Sequence, residues 1–394
     1  MHVVKCAAPA LLGALLVSGC SYIPAVSLPS LGPPPICSGS GLRVETSFPG
    51  AGLHDCIIAP DGSIIVSVDH EPAFVEGINP SPWFAFRVIS DTAREATITL
   101  DYTDYEHRYL PWIRREGLAW ERLISDSIVL NERRTRATLK VPVSSNGTLV
   151  AAQPVSSASD NIGWTRSALS GRGFSETKYG ASREGRDLVG FVGGGGLEVI
   201  VALTRQHPPE TTGQEAYRGF IERLMKRDDA HAIAFRARHR MIFAPMPNPD
   251  GVDGGHWRLN AGGVDLNRDW GVFTQPETKA LSDWIVSQAG DRRVVAMFDF
   301  HSTDRTVIYA PPLDAPAPTI GFLPRLKQVF DARLATPPEW TYSHNPAGGT
   351  SKGWGLEALK APAITVELWD QIPVEDARAL GAATADALID YFAR

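Results

Sequence analysis

No basic cluster appears beyond short pairs such as Arg114-Arg115, and acidic residues outnumber Lys plus Arg by 44 to 38, which argues against nucleic acid as a partner. No apolar run is long enough to act as a spanning anchor near the amino end: the stretch from Ala7 to Val17 falls far short of a bilayer's thickness. Cysteine is scarce, with four in 394 residues. Cys6 lies within that apolar leader and Cys20 directly follows Val17-Ser-Gly, which leaves Cys37 and Cys56. Outside the cytoplasm these two are expected to form a disulfide that pins the start of the first folded region; the alternative is two free thiols.

What is present at the amino end is Met1-His-Val-Val-Lys5, the apolar stretch, and small residues directly before a cysteine. That order resembles a bacterial lipobox, so residues 1–19 read as a lipoprotein signal peptide and Cys20 as the lipidated residue. The competing reading is an ordinary secretory leader with a chance cysteine. Residues 20–40, rich in Pro, Ser and Gly between Tyr22 and Pro35, suit a semi-rigid tether. The implied location is the bacterial cell envelope, facing the periplasm, with membrane contact through the lipid alone.

Two regions with different patterning follow. In residues 41–160, Ser63–Val68, Trp83–Ile89, Ala96–Leu100 and Ala137–Val141 are short strand-like runs separated by Gly, Pro, Asn and Asp. They predict a small antiparallel β-sandwich, with Ser144 to Asp160 as the passage onward. In residues 161–394, strands are expected at Leu188–Val192, Leu197–Leu203, Met241–Pro245, Arg293–Phe300 and Ala363–Leu368. Helices are expected over Gly213–Met225 and Pro373–Phe392, with another opened by a capping box at Thr274-Gln-Pro-Glu277. Alternating strands and helices predict an α/β fold: a mixed, mostly parallel sheet flanked by helices.

His207-Pro-Pro-Glu210 directly follows one predicted strand, and His301 ends another. Open α/β sheets gather their chemistry at the carboxyl ends of strands, so the two segments can meet. Two imidazoles and one carboxylate suit one Zn2+ per chain and leave a coordination position open, which points to hydrolysis.

Together with Asn248-Pro-Asp-Gly251, Trp257-Arg-Leu-Asn260, Gly263-Val-Asp-Leu-Asn-Arg-Asp-Trp270 and Thr365-Val-Glu367, these residues resemble the zinc metallocarboxypeptidases. The resemblance is to the cytosolic-carboxypeptidase-like branch in particular, whose members carry a β-sandwich in front; Trp83-Phe-Ala-Phe-Arg87 is similar to a segment of it. It implies His207, Glu210 and His301 as zinc ligands, Asn267 and Arg268 as the grip on a substrate's terminal carboxylate, Arg258 as the residue that polarises the scissile carbonyl, and Glu367 as general base. Each role has a physical basis: a guanidinium fork fits a carboxylate, a second arginine stabilises charge growing on an oxygen, and a carboxylate beside activated water takes its proton.

The chain has Pro209 where this branch usually has glycine. Tyr342 is the candidate for the expected aromatic hydroxyl, Asn345–Thr350 has the small residues of a mobile flap, and Lys352 falls at the position that helps choose the terminal side chain. A lysine there favours an acidic terminal residue. A periplasmic address adds the stem peptides of peptidoglycan, which also end in a carboxylate. Two other readings stand beside this one: a zinc-dependent acyl-amino-acid amidohydrolase similar to desuccinylases and aspartoacylases, and a non-catalytic binding lipoprotein.

Overall fold

The computed structural model describes residues 36–69, 80–102 and 105–393. The expected signal peptide, Cys20 and the tether up to residue 35 lie outside the described residues. No helix among the described residues is long and apolar enough to cross a membrane.

The first region folds as two facing sheets. Its strands in chain order are β1 (Cys37–Gly39), β2 (Leu42–Glu45), β3 (Asp55–Ile58), β4 (Ile64–Ser67), β5 (Ala85–Ser90) and β6 (Arg94–Asp101). After these come β7 (Trp112–Arg115), β8 (Glu121–Arg122), β9 (Ile128–Leu130), β10 (Arg136–Val143) and β11 (Thr148–Ala151). One sheet runs β1-β2-β5-β11-β7-β8 and the other β3-β4-β6-β10-β9. Strict alternation builds the core: Ala96, Ile98 and Leu100 of β6 and Ala137, Leu139 and Val141 of β10 point inward, against Phe84, Phe86 and Val88. One pair departs from the expected antiparallel pattern, because β4 runs parallel to β6. A disulfide joins Cys37 on β1 to Cys56 on β3, with Cα atoms 5.8 Å apart, and so links the two sheets.

The second region opens with α1 (Ala158–Leu169), inside and beyond the stretch read from sequence as a passage. Ser157 and Asp160 form the capping box that starts it. Eight strands make the large sheet: β12 (Phe174–Ala181), β13 (Asp187–Gly193), β14 (Glu198–Thr204), β15 (His239–Ala244), β16 (Arg293–Thr303), β17 (Val307–Ala310), β18 (Glu339–Tyr342) and β19 (Ala363–Trp369). Their order is β12-β13-β15-β14-β16-β19-β17-β18. The central run β15-β14-β16-β19 is parallel, and antiparallel pairing enters toward the edges.

Helices α2 (Thr211–Lys226), α3 (Ala230–Arg238), α4 (Pro249–Asp253), α5 (Pro276–Ala289), α6 (Phe322–Arg333), α7 (Ser351–Ala358) and α8 (Val374–Phe392) surround it. Phe220 of α2 and Leu388 of α8 cover one face with Phe298 and Phe300. Leu281, Trp284 and Ile285 of α5 cover the other with Val199, Val201 and Met297. Helices on both faces make the central strands nearly continuous in apolar residues.

The start of α5 corrects the expected capping box. Gln275 occupies the cap position without a side-chain cap bond. Asp269 instead accepts from the backbone N–H groups of Thr274 and Gln275 and from the Thr274 and Thr278 hydroxyls, while Glu277 is buried and accepts from Arg183 N and Asn260 Nδ2. A carboxylate five residues ahead of Thr274 has taken over the work of the expected box.

Candidate metal centre and active site

At the carboxyl end of β14 the chain turns through Arg205, a buried residue with φ of +63°, a conformation uncommon for a residue bearing a side chain. Its guanidinium holds the turn: Nη1 donates to Gln214 Oε1 at 2.5 Å and Nη2 to the carbonyl of Pro208 at 2.8 Å. The turn leaves His207 buried and Glu210 at the foot of α2. His301 arrives on β16, and a Cβ on Gly213 would lie 2.5 Å from its carbonyl oxygen. Only glycine lets the first turn of α2 come that close to the strand.

The three side chains converge. His207 Nδ1 and His301 Nδ1 are 3.2 Å apart, and the two oxygens of Glu210 lie 2.7 Å from one and 2.7 Å from the other. Nitrogens bound to one tetrahedral zinc at ordinary distances sit about 3.3 Å apart. The remaining ring nitrogens face carboxylates: His207 Nε2 is 3.0 Å from Asp265 Oδ1, and His301 Nε2 is 2.8 Å from Asp299 Oδ2. With each Nε2–H donating outward, each Nδ1 lone pair faces the common point. This set fits a single zinc ion.

Electrostatics favour positive charge at that point. Burial alone would raise the carboxyls of Glu210 and Asp265. Instead, His207 and His301 hold Glu210 well below the usual carboxylate range, and His207 and Arg258 do the same for Asp265. Glu367 behaves oppositely: burial pushes it up to about 7 against the pull of His301. It stands directly across the parallel β16–β19 pair from His301, and its Oε2 is buried with no hydrogen-bond partner among the described residues.

These groups open on a cleft of about 550 Å3. Glu210, Arg258, Asn267, Arg268, Lys352 and Glu367 all line it, so most of the residues singled out by sequence come together. Arg258 Nε donates to Asp265 Oδ2 at 2.6 Å, which ties it to the histidine support. Asn267 is partly committed: its Oδ1 accepts from Ser351 N at 2.9 Å, and its Nδ2 lies 3.4 Å from His301 Nε2. Arg268 Nη1 donates to the Asn267 carbonyl at 2.7 Å. A Cβ on Gly349 would lie 2.2 Å from the Arg268 carbonyl, so this glycine seats the 345–350 segment against the arginine. Lys352 lies in the first turn of α7, donates to the Ser343 carbonyl, and has its ammonium pushed down to about 8 by burial.

Tyr342 is placed elsewhere. It stacks on Trp340, is 38% exposed, and senses Lys327 and Asp331 of α6. Strand alternation explains this: Tyr309 pairs with Thr341 and Thr365 and lines the cleft, whereas Tyr342 pairs with Ala310 and so points to the opposite face. The phenol that reaches the cleft is Tyr309, in an alternating segment, Val307-Ile-Tyr-Ala310, whose signal was readable but unremarked. Asp265 and Asp299 carry no sequence signal as histidine partners: one lies inside the 263–270 segment and the other within the apolar strand that ends at His301.

The profile of the zinc carboxypeptidase family matches residues 174–374, just over half of the chain, and takes in every residue of this site. The chain belongs to that family. Among relatives of this chain is an uncharacterized protein of Zymomonas mobilis, 26% identical over 255 residues, which cover 61% of this chain and 63% of that protein. Cytosolic carboxypeptidase-like protein 5 of Rattus norvegicus is 36% identical over 75 residues, 19% of this chain and 9% of that one. The chain thus spans less than two thirds of the length of either. A metallo-carboxypeptidase from Burkholderia cenocepacia shares the fold across 89% of this chain and 98% of its own, with a TM-score of 0.73 and 19% identity.

Proposed function

We propose that this zinc carboxypeptidase hydrolyses the C-terminal peptide bond of peptides. The observation that carries the reading is Glu367, half-buried, with its buried Oε2 lacking a hydrogen-bond partner among the described residues, set against the three-ligand cluster at the mouth of a cleft. An apolar strand gives no reason for such a group, and a proton-transfer role at the cleft accounts for it. His207, Glu210 and His301 would hold the zinc, which when bound would supply Lewis acidity toward a water and a carbonyl oxygen.

The chain's own residues do the rest. Glu367 takes the proton of the attacking water and returns it to the leaving nitrogen. Arg258, fixed by Asp265, stabilises the charge that grows on the carbonyl oxygen, and Tyr309 offers a phenol O–H to the same region. Arg268 with the Asn267 amide binds the terminal carboxylate and so restricts cleavage to chain ends.

The proposal extends to the terminal residue. Lys352, bonded to the Ser343 carbonyl, lines the cleft together with Thr303, Tyr309 and Thr365, a hydroxyl-rich lining that supports an acidic terminal side chain. Stem peptides of peptidoglycan also present a carboxylate and stay within the reading. The short matches to cytosolic-carboxypeptidase-like proteins and the leading sandwich support placement in that branch. Lipid anchoring at Cys20 in the bacterial envelope belongs to the same proposal, as does the division into sandwich and catalytic regions, drawn ahead of α1 at Ala158 rather than inside that helix at residues 160 and 161.

A digestion panel of acid-ended, leucine-ended and muropeptide substrates, beside acylated single amino acids, tests it. Purified protein should hold about one zinc per chain, and Glu367→Gln should lose roughly 100- to 10,000-fold in kcat while keeping the metal. Activity confined to acylated single amino acids, or a fully active Glu367→Gln protein, would overturn the reading.

A further inference from the structure

Arg108 belongs to the sandwich region, in the segment between β6 and β7, yet its guanidinium lies against the catalytic sheet. Nε and Nη2 reach Asp370 Oδ2 at 2.8 and 2.6 Å, with side-chain exposures of 14% for Arg108 and 5% for Asp370. The arm that carries it is fixed. His107 and Tyr109 on either side are buried, the His107 ring lies 2.9 Å from the Tyr102 hydroxyl, and His107 N donates to the Arg134 carbonyl at 2.7 Å. Arg108 Nη1 also donates to the Pro80 carbonyl at 2.6 Å.

Asp370 is three residues past Glu367. Its backbone N–H donates to the carbonyl of Thr303, two residues past His301, and its own carbonyl accepts from Gln153 Nε2 at 2.7 Å. The chain just beyond the base is therefore clamped from the sandwich side by Arg108 and by Gln153 at the passage. A buried ion pair of this kind adds little net stability, because desolvation offsets most of the attraction. What the Nε hydrogen bond and the Nη2 ion contact from a fixed arm do supply is geometry.

We infer that Arg108 is a positioning residue: through Asp370 it fixes the end of β19 and thereby the approach of Glu367 to the ligand cluster, making the sandwich a structural part of the active site. This rests on the proposed peptidase reading, with Glu367 as its base.

The full-length protein is tested as Arg108→Gln, Asp370→Asn, the double variant and Arg108→Lys. Two readouts are taken: kinetics on a peptide that the wild type cleaves, and hydrogen exchange with mass spectrometry on the segments 363–372 and 198–204. Arg108→Gln should lower kcat at least tenfold with KM and zinc content within twofold, and the double variant should be no worse than the poorer single. Exchange in 363–372 should quicken at least tenfold while 198–204 stays unchanged. Arg108→Lys, which keeps the charge and guards against simple loss of fold, should recover part of kcat.

Additive losses, a change confined to KM, or a kcat loss that merely tracks the folded fraction would overturn the inference. Should the wild type cleave no peptide end, the proposed function falls and exchange decides alone: quickening in 363–372 keeps the positioning role, and unchanged exchange removes it.

Discussion

In the sandwich, the inward positions of β6 and β10 are alanine, isoleucine, leucine and valine, whereas the carboxyl ends of β14, β16 and β19 lead into buried His207, Glu210, His301 and Asp370. Asp265, Arg258 and Asp299 are buried beside them. An apolar side chain removed from water stabilises a fold by roughly 1.5–3 kcal/mol, while a buried ionised group costs stability unless it is paired. The sandwich draws stability from nearly every inward position. The strand ends of the large sheet give stability up, and they keep that arrangement balanced only through pairs such as His207 with Asp265 and His301 with Asp299.

On activity, the expected effects run downward from the large sheet to the sandwich. Asp299→Asn leaves His301 without its carboxylate partner; metal affinity should fall roughly 10- to 100-fold, read by competition with a chromophoric chelator. An unchanged affinity would mean that the paired charges are fold elements, as ordinary as any in the sandwich. Tyr309→Phe should lower kcat about tenfold, and Tyr342→Phe should leave it within twofold. The reverse order would place the wrong face of the β17–β18 pair in the cleft. Smallest in activity is the pair Cys37→Ser with Cys56→Ser. Removing a link across 19 residues should cost roughly 3 kcal/mol in chemical denaturation, with kcat at low temperature within twofold. A matching loss of kcat would show that the two sheets of the sandwich reach further into the active site than the Arg108 arm alone.

The same contrast decides what was legible in the sequence. Periodicity revealed β6, β10, β14, β16, β19, α2 and α8, because their side chains alternate or repeat with burial and the tertiary fold agrees with that local pattern. The ligands were readable because His207 and Glu210 are three residues apart and His301 ends an apolar strand. Local pattern failed where residues outside the expected local element decided the outcome. Asp269 overrode the capping box at Thr274, and Ser157 began a helix in a stretch that composition marked as a passage. Tyr342 looked suitable by distance along the chain, but the pairing of β17 with β18 turned it outward. Arg108 carried no motif at all; its meaning appears only beside Asp370, 262 residues later.

The placement of His301 opposite Glu367 in a parallel ladder carries a further consequence. Successive side chains of β19 face opposite sides, so gaining or losing a single residue ahead of Glu367 would swing Val366 or Leu368 toward the cleft and send the carboxylate into hydrocarbon. Every amino acid of the catalytic set would still be present, and the chemistry would be gone. Changes of length in that strand are thus more dangerous to this protein than most changes of letter.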